Sequence, residues 1–181
     1  MEFTMAIKPT IYKLRIALSD LERNYYDSLS LTVALHPSET LTRMMARVMA
    51  FCLNATPDLT FTKGLSEQDE PDIWIKSYDD KIKLWIETGE PVVDRVKKAV
   101  RSAELVRLYT FNSKTDVWWS QNGAKLSQSG AQITRFDPNS IIRMAELANR
   151  TMDCSVTITG QSAYVAVADG ECEITWEVLC E

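Results

Sequence analysis

Asp72 and Glu87 are the residues whose types and spacing point most directly to chemistry. Asp72 opens the run Asp72-Ile73-Trp74-Ile75-Lys76, and Glu87 closes the run Ile82-Lys83-Leu84-Trp85-Ile86-Glu87. Both runs read as strands, and Asp79-Asp80-Lys81 supplies the turn of an antiparallel hairpin. Alternation places Asp72, Trp74 and Lys76 on one face of the first strand, and Lys83, Trp85 and Glu87 on one face of the second. The turn then brings the Asp72 end beside the Glu87 end, with Trp74 and Trp85 next to them; a one-residue slip separates the acids. Two adjacent carboxylates repel, and one is driven to protonate unless a cation lies between them. Oxygen ligands in this arrangement suit Mg²⁺ or Mn²⁺, which take one or two protein carboxylates and keep several waters. Such an ion can activate water and stabilise charge on a phosphodiester. The plainer alternative is that Asp72 is loop chemistry after Pro71 and that Glu87 pairs with Lys83 on its own face.

The elements that must position this pair can be read along the chain. Residues 9–19 alternate as a strand, and Tyr25 to Leu35 is a second, giving an N-terminal hairpin. At His36-Pro37-Ser38-Glu39-Thr40 the period changes to that of a helix, with Ser38 as the expected N-cap. This helix is expected to reach about Leu53 and to bury a stripe of Leu41, Met44, Met45, Val48 and Cys52. Its methionines read as core filling. Leu59 to Gly64 is short and β-prone, and residues 65–71 form an acidic loop.

After the hairpin, Pro91 opens a second helix to about Ala103, with Val93, Val96, Ala99, Val100 and Ala103 inward. Leu105 to Phe111 follows as an apolar strand, so a right-handed crossover to a parallel neighbour is expected. Thr115 to Leu126 reads as a third helix carrying Trp118 and Trp119, a pair suited to the core or to stacking on bases. Gln132 to Phe136 is a strand. Asp137-Pro138 starts a fourth helix to about Asn149, with Ile141, Ile142, Ala145 and Leu147 to bury. Three short strands, from Cys154, Ala163 and Cys172, form a C-terminal β-meander.

Composition bounds the possibilities. The 181 residues suit one domain, 1–181, and 45% are hydrophobic. A net charge of −5, from 20 basic and 25 acidic residues, does not favour nucleic-acid binding, which shows as a basic surface. No run approaches the roughly 18 apolar residues of a membrane helix, and the N-terminus has no signal-peptide pattern. Met5 is a second candidate start, with Met1 to Thr4 as an extension. The four cysteines, Cys52, Cys154, Cys172 and Cys180, form no CxxC pair and read as reduced thiols of a cytoplasmic protein. His36 is the only histidine and reads as a loop residue, so neither a Ser-His-Asp nor a Cys-His mechanism finds support.

Pro71-Asp72, fourteen residues, then Glu87-Thr88-Gly89 resembles the PD-(D/E)XK nuclease signature with its final lysine missing. His36-Pro37-Ser38-Glu39-Thr40, Phe61-Thr62-Lys63-Gly64-Leu65, Asp69-Glu70-Pro71, residues 84–91, Arg95-Val96-Lys97-Lys98-Ala99 and Thr110-Phe111-Asn112-Ser113 resemble the YaeQ family over nearly the whole chain. That family is described as a variant of the PD-(D/E)XK fold. The resemblance implies an α/β (α+β) domain: a restriction-endonuclease-like mixed sheet flanked by helices, with the N-terminal hairpin and C-terminal meander attached. It implies metal-binding roles for Asp72 and Glu87, and for Glu39 as an extra acid from the first helix. Gly89 stands where the superfamily has its lysine. In some members that lysine has moved to the following helix, which makes Lys97 and Lys98 the candidates, with Arg95 behind them. A solvated helix face is the alternative for all three.

Two functions follow as expectations. One is a Mg²⁺- or Mn²⁺-dependent nuclease in which Asp72 and Glu87 hold the metal and Lys97 or Lys98 assists the water. The other is a catalytically inactive nuclease-fold module that binds nucleic acid or a protein partner. A hydrolase of smaller phosphoesters is a further alternative to both.

Overall fold

The computed structural model describes residues 8–181, and the candidate start at Met5 lies outside the described residues. Among the described residues, ten strands and four α-helices form a mixed α+β fold. The strands are β1 (Thr10–Asp20), β2 (Tyr25–Leu35), β3 (Thr60–Phe61), β4 (Ile73–Lys76), β5 (Ile82–Thr88), β6 (Ala103–Thr110), β7 (Gln132–Phe136), β8 (Thr151–Thr159), β9 (Ser162–Val167) and β10 (Gly170–Cys180). The helices are α1 (Leu41–Asn54), α2 (Val93–Ser102), α3 (Thr115–Ser127) and α4 (Pro138–Glu146). One sheet contains all ten strands in the order β2-β1-β8-β9-β10-β7-β6-β5-β4-β3. Pairing is mostly antiparallel; β1 with β8, β5 with β6 and β6 with β7 are parallel.

The expected hairpins and meander are present. β1 and β2 pair from Thr10↔Leu35 to Asp20↔Tyr25. β4 and β5 pair antiparallel through Ile73↔Ile86 and Trp74↔Trp85, with the turn at 77–81. The β5–α2–β6 crossover produces the parallel pair, and β8, β9 and β10 form the meander. β10 also pairs with β7, and β1 with β8, which joins the two halves of the chain into one sheet.

The sheet curves around α1. This helix contacts β2 near one sheet edge and β5 near the other, and Phe51 on α1 stacks on Phe61 of the edge strand β3. β2 and the β3 region together line one cavity, so the two ends of the sheet approach each other beside α1. Every residue from Met44 to Cys52 is consequently buried, including Arg47. The single-stripe expectation is corrected here: a helix enclosed by a sheet has no solvent face for its whole middle. α1 and α4 share this large core, whereas α2 and α3 cover the other sheet face, with Val96, Ala99 and Leu126 packed in one cluster with Trp85, Val106, Leu108 and Ile133. β5 shows the division through its alternation, with Leu84 and Ile86 in the first core and Trp85 in the second.

Two further expectations are corrected. The N-cap of α1 is Thr40, whose hydroxyl accepts from the Arg43 amide at 3.1 Å. Ser38 instead meets His36 Nδ1 at 2.7 Å, in a turn that ends before the helix begins. Ile142 is exposed on α4, where Ile141, Met144 and Ala145 make the buried stripe. The N-cap of α4 is Asp137, as expected, accepting from the Ser140 amide at 2.9 Å.

Candidate functional site

Register decides where the two acids lie. Ile73 pairs with Ile86, so Asp72 falls one position further along, next to Glu87. Both line a cavity of about 510 Å³ at the strand ends, together with residues of the acidic loop, Thr88 to Pro91, Arg43, Arg95, Phe111 and Asn112. Trp85 also takes its expected place: its indole Nε1 donates to Glu87 Oε1 at 3.1 Å. Trp74 lies outside this cavity, under the Lys76 ammonium at 4.6 Å from the ring centre.

Asp72 is buried and fully engaged. Its Oδ2 accepts from the Thr88 amide at 2.7 Å and the Thr88 hydroxyl at 2.8 Å. Arg43 Nη2 donates to Oδ1 at 2.8 Å and to Oδ2 at 3.0 Å, and approaches the Thr88 carbonyl oxygen at 3.3 Å. Arg43 Nη1 donates to Glu39 Oε2 at 2.5 Å. Burial works against the Arg43 charge, but Asp72 and Glu39 outweigh it and hold the guanidinium pKa above its ordinary value.

Glu39 does not line this cavity. It is clamped by Arg47, whose Nε and Nη2 donate to its two oxygens at 2.8 and 2.6 Å. Glu39 therefore reaches Asp72 only through Arg43. Glu39 and Arg47 line a separate cavity of about 230 Å³ with His36.

Glu87 is held from the other sheet face. Arg95 on α2 donates to Oε1 through Nε at 2.7 Å, and its remaining nitrogens reach the carbonyls of Gln68 and Glu70. Among the described residues no donor is hydrogen-bonded to Oε2. Burial pushes the Glu87 pKa up, Arg95 opposes that, and the Asp72 charge adds to the rise.

The lysines expected on α2 point elsewhere. Lys98 pairs with Asp69 on the surface at 2.6 Å, and Lys97 lines another cavity with Arg101, Lys125 and Gln128. Among the described residues no lysine lines the Asp72/Glu87 cavity. At Gly89, where the nuclease resemblance would place a lysine, the backbone is unfavourable to one. Gly89 has φ +114°, a conformation that disfavours any side chain although the space around a Cβ there is open. Trp118 and Trp119 pack on the second core, and Trp118 donates to the Pro91 carbonyl, so neither presents a free pair of rings.

The arginines are what the sequence reasoning missed. Arg95 was noted only behind the lysines, and Arg43 and Arg47 were not noted at all. A signal existed: Glu39, Arg43 and Arg47 follow at intervals of four, which aligns them on one line of a helix.

As arranged, the donor set does not fit a divalent ion. Arg43 Nη2 touches both Asp72 oxygens and the Thr88 carbonyl, Arg95 takes Glu87 Oε1, and Glu87 Oε2 alone is left. Among the described residues no three or more His, Cys, Asp or Glu side chains are grouped as metal ligands. The cavity is still acidic, with Glu67, Glu70, Asp72, Glu87 and Glu90 against two arginines.

Comparison with known proteins agrees with this architecture over nearly the whole chain. The family model described as "YaeQ protein" matches residues 5–176. The chain belongs to the YaeQ family. The uncharacterized protein YaeQ of Salmonella typhi is 39% identical over 172 residues, covering 94% of this chain and 95% of that one. The uncharacterized protein YaeQ of Escherichia coli K12 is 42% identical over 156 residues, covering 85% and 86%. The crystal structure of the YaeQ protein from Xanthomonas axonopodis pv. citri matches with a TM-score of 0.91 at 31% identity, covering 94% of this chain and 97% of that one. The YaeQ structure from Pseudomonas syringae gives 0.90 at 32% identity, covering 96% and 97%. The YaeQ fold is thus the frame in which the arginine-paired acids sit.

Proposed function

We propose that this YaeQ-family chain is a catalytically silent variant of the restriction-endonuclease-like fold, working as a binding module. The order α1, β4–β5 hairpin, α2, β6, with β5 and β6 parallel, supports the likeness to the PD-(D/E)XK core. One observation carries the silent reading: each acid of the pair already has an arginine against it, and among the described residues no lysine lines the cavity. Charge selects the partner. Five carboxylates to two guanidiniums repel a phosphate backbone and attract a basic group, so the cleft receives a lysine or arginine side chain of a protein partner. The four free thiols suit a reducing compartment, the cytoplasm.

The other reading is a Mg²⁺- or Mn²⁺-dependent phosphodiester hydrolase on nucleic acid. It is favoured by the meeting of Asp72 and Glu87 in one cavity.

One assay separates the two. Wild type, Asp72→Ala and Glu87→Ala are incubated with single- and double-stranded DNA and RNA in Mg²⁺ or Mn²⁺. Equal background in all three is expected; cleavage by wild type that disappears in both variants replaces the binding reading by the hydrolase. A basic peptide titrated in parallel should bind more weakly at higher salt and more weakly to Glu70→Gln/Glu90→Gln.

A further inference from the structure

We propose that Arg43 is the resident cation of the Asp72/Glu87 cavity: its guanidinium occupies the place from which a divalent ion would touch the Asp72 carboxylate and the Thr88 carbonyl, and its removal uncovers a divalent-cation site. This concerns what already neutralises the acids, not what the cleft receives, so it stands or falls apart from the partner proposed above.

The argument is geometric. Arg43 Nη2 lies 2.8 and 3.0 Å from the two Asp72 oxygens and 3.3 Å from the Thr88 oxygen. Mg²⁺ binds oxygen at about 2.1 Å in near-octahedral geometry. An ion sharing those three oxygens would overlap Nη2 and meet its positive charge. The guanidinium is held from behind as well as in front. Nη1 is 2.5 Å from Glu39 Oε2, and Arg47 grips both Glu39 oxygens at 2.6 and 2.8 Å. The four side chains alternate in charge from the interior of α1 to the cavity: Arg47, Glu39, Arg43, Asp72. Glu39 and Asp72 are each buried, so neither has water as a ready substitute for Arg43. Glu39, which sits where a third metal-binding acid was expected, serves here to position Arg43.

An arginine differs from a lysine in this place. It stays protonated across the accessible pH range, and its planar fork bridges two carboxylates at once. The cavity therefore keeps its cation at every pH at which the protein is folded. The acids keep their cation-binding character, and the cation they bind is part of the chain.

The test is Mn²⁺ titration followed by paramagnetic broadening of the Trp85 indole N–H signal, which is hydrogen-bonded to Glu87. Wild type should show no saturable broadening at millimolar Mn²⁺. Arg43→Met, which removes the charge and keeps the length, should show saturable broadening with an affinity at least about tenfold higher. Arg43→Met/Asp72→Asn should lose it again, and Arg43→Lys should behave as wild type. Saturable broadening in wild type overturns the proposal. So does a folded Arg43→Met that gains nothing. The wild-type measurement decides against the proposal even where Arg43→Met does not fold.

Discussion

The two acids of the cavity lie opposite each other in the β4–β5 register but differ in how they are held. Asp72 lies on the α1 side, inside a chain of buried charges that ends at Arg47, and all its oxygens have donors. Glu87 lies on the α2 side, meets a half-exposed arginine through one oxygen, and has its pKa pushed up by burial. Identical chemistry at neighbouring positions thus gives a locked carboxylate and a loosely held one. The difference comes from the helices: α1 is enclosed by the sheet, while α2 lies on its outer face.

The largest effect should come from the enclosed end. Arg47→Ala leaves Glu39 buried without its main partner, and about 3–5 kcal/mol of stability should be lost, read by urea denaturation. A loss below 1 kcal/mol would break the contrast. Thr88→Val removes one donor from a buried, charged acceptor and should cost about 1.5–3 kcal/mol in the same assay. Gly89→Lys places a side chain at φ +114°; it should destabilise by about 1–3 kcal/mol and produce no cleavage of DNA or RNA.

The α2 side should respond less. The Arg95 side chain is 35% exposed, so Arg95→Gln should cost no more than about 1 kcal/mol after solvent screening. Glu87 sharpens the comparison through pH. Its folded pKa lies above the ordinary value of 4.5, so its contribution to stability is complete below that value and is lost as pH rises through the folded pKa. Stability of wild type relative to Glu87→Gln should therefore fall from about pH 4.5 upward, measured by denaturation at a series of pH values. A rise over that range would mean that Arg95 outweighs burial.

Much of the fold was legible because it depends on local patterns. The range Tyr25–Leu35 follows from alternation, Gln132–Phe136 from its flanking turns, and the parallel β5–β6 pair from the Pro91-started helix between them. The meeting of Asp72 with Glu87 also followed from hairpin register. What was not legible depends on distant parts of the chain. The burial of α1 on all sides needs both ends of the sheet. Arg43 meets Asp72 across 29 positions, a pairing that no local period reveals. The Ser38 cap fails for a smaller reason: Ser38 and Thr40, two positions apart, are both capping residue types, and His36 engages Ser38 in a turn. Gly89 was visible as a glycine, but its φ of +114° was not.

The pairing of β1 with β8 has a consequence for how the chain reaches this structure. Arg15 and Asp153, side by side on those strands, are 138 positions apart. Joining them closes a very long loop, and contacts of such separation slow the search for the native state. Until they form, the β1–β2 hairpin is not joined to the rest of the sheet, so the side of α1 that packs on β2 is not yet fixed against the side that packs on β5.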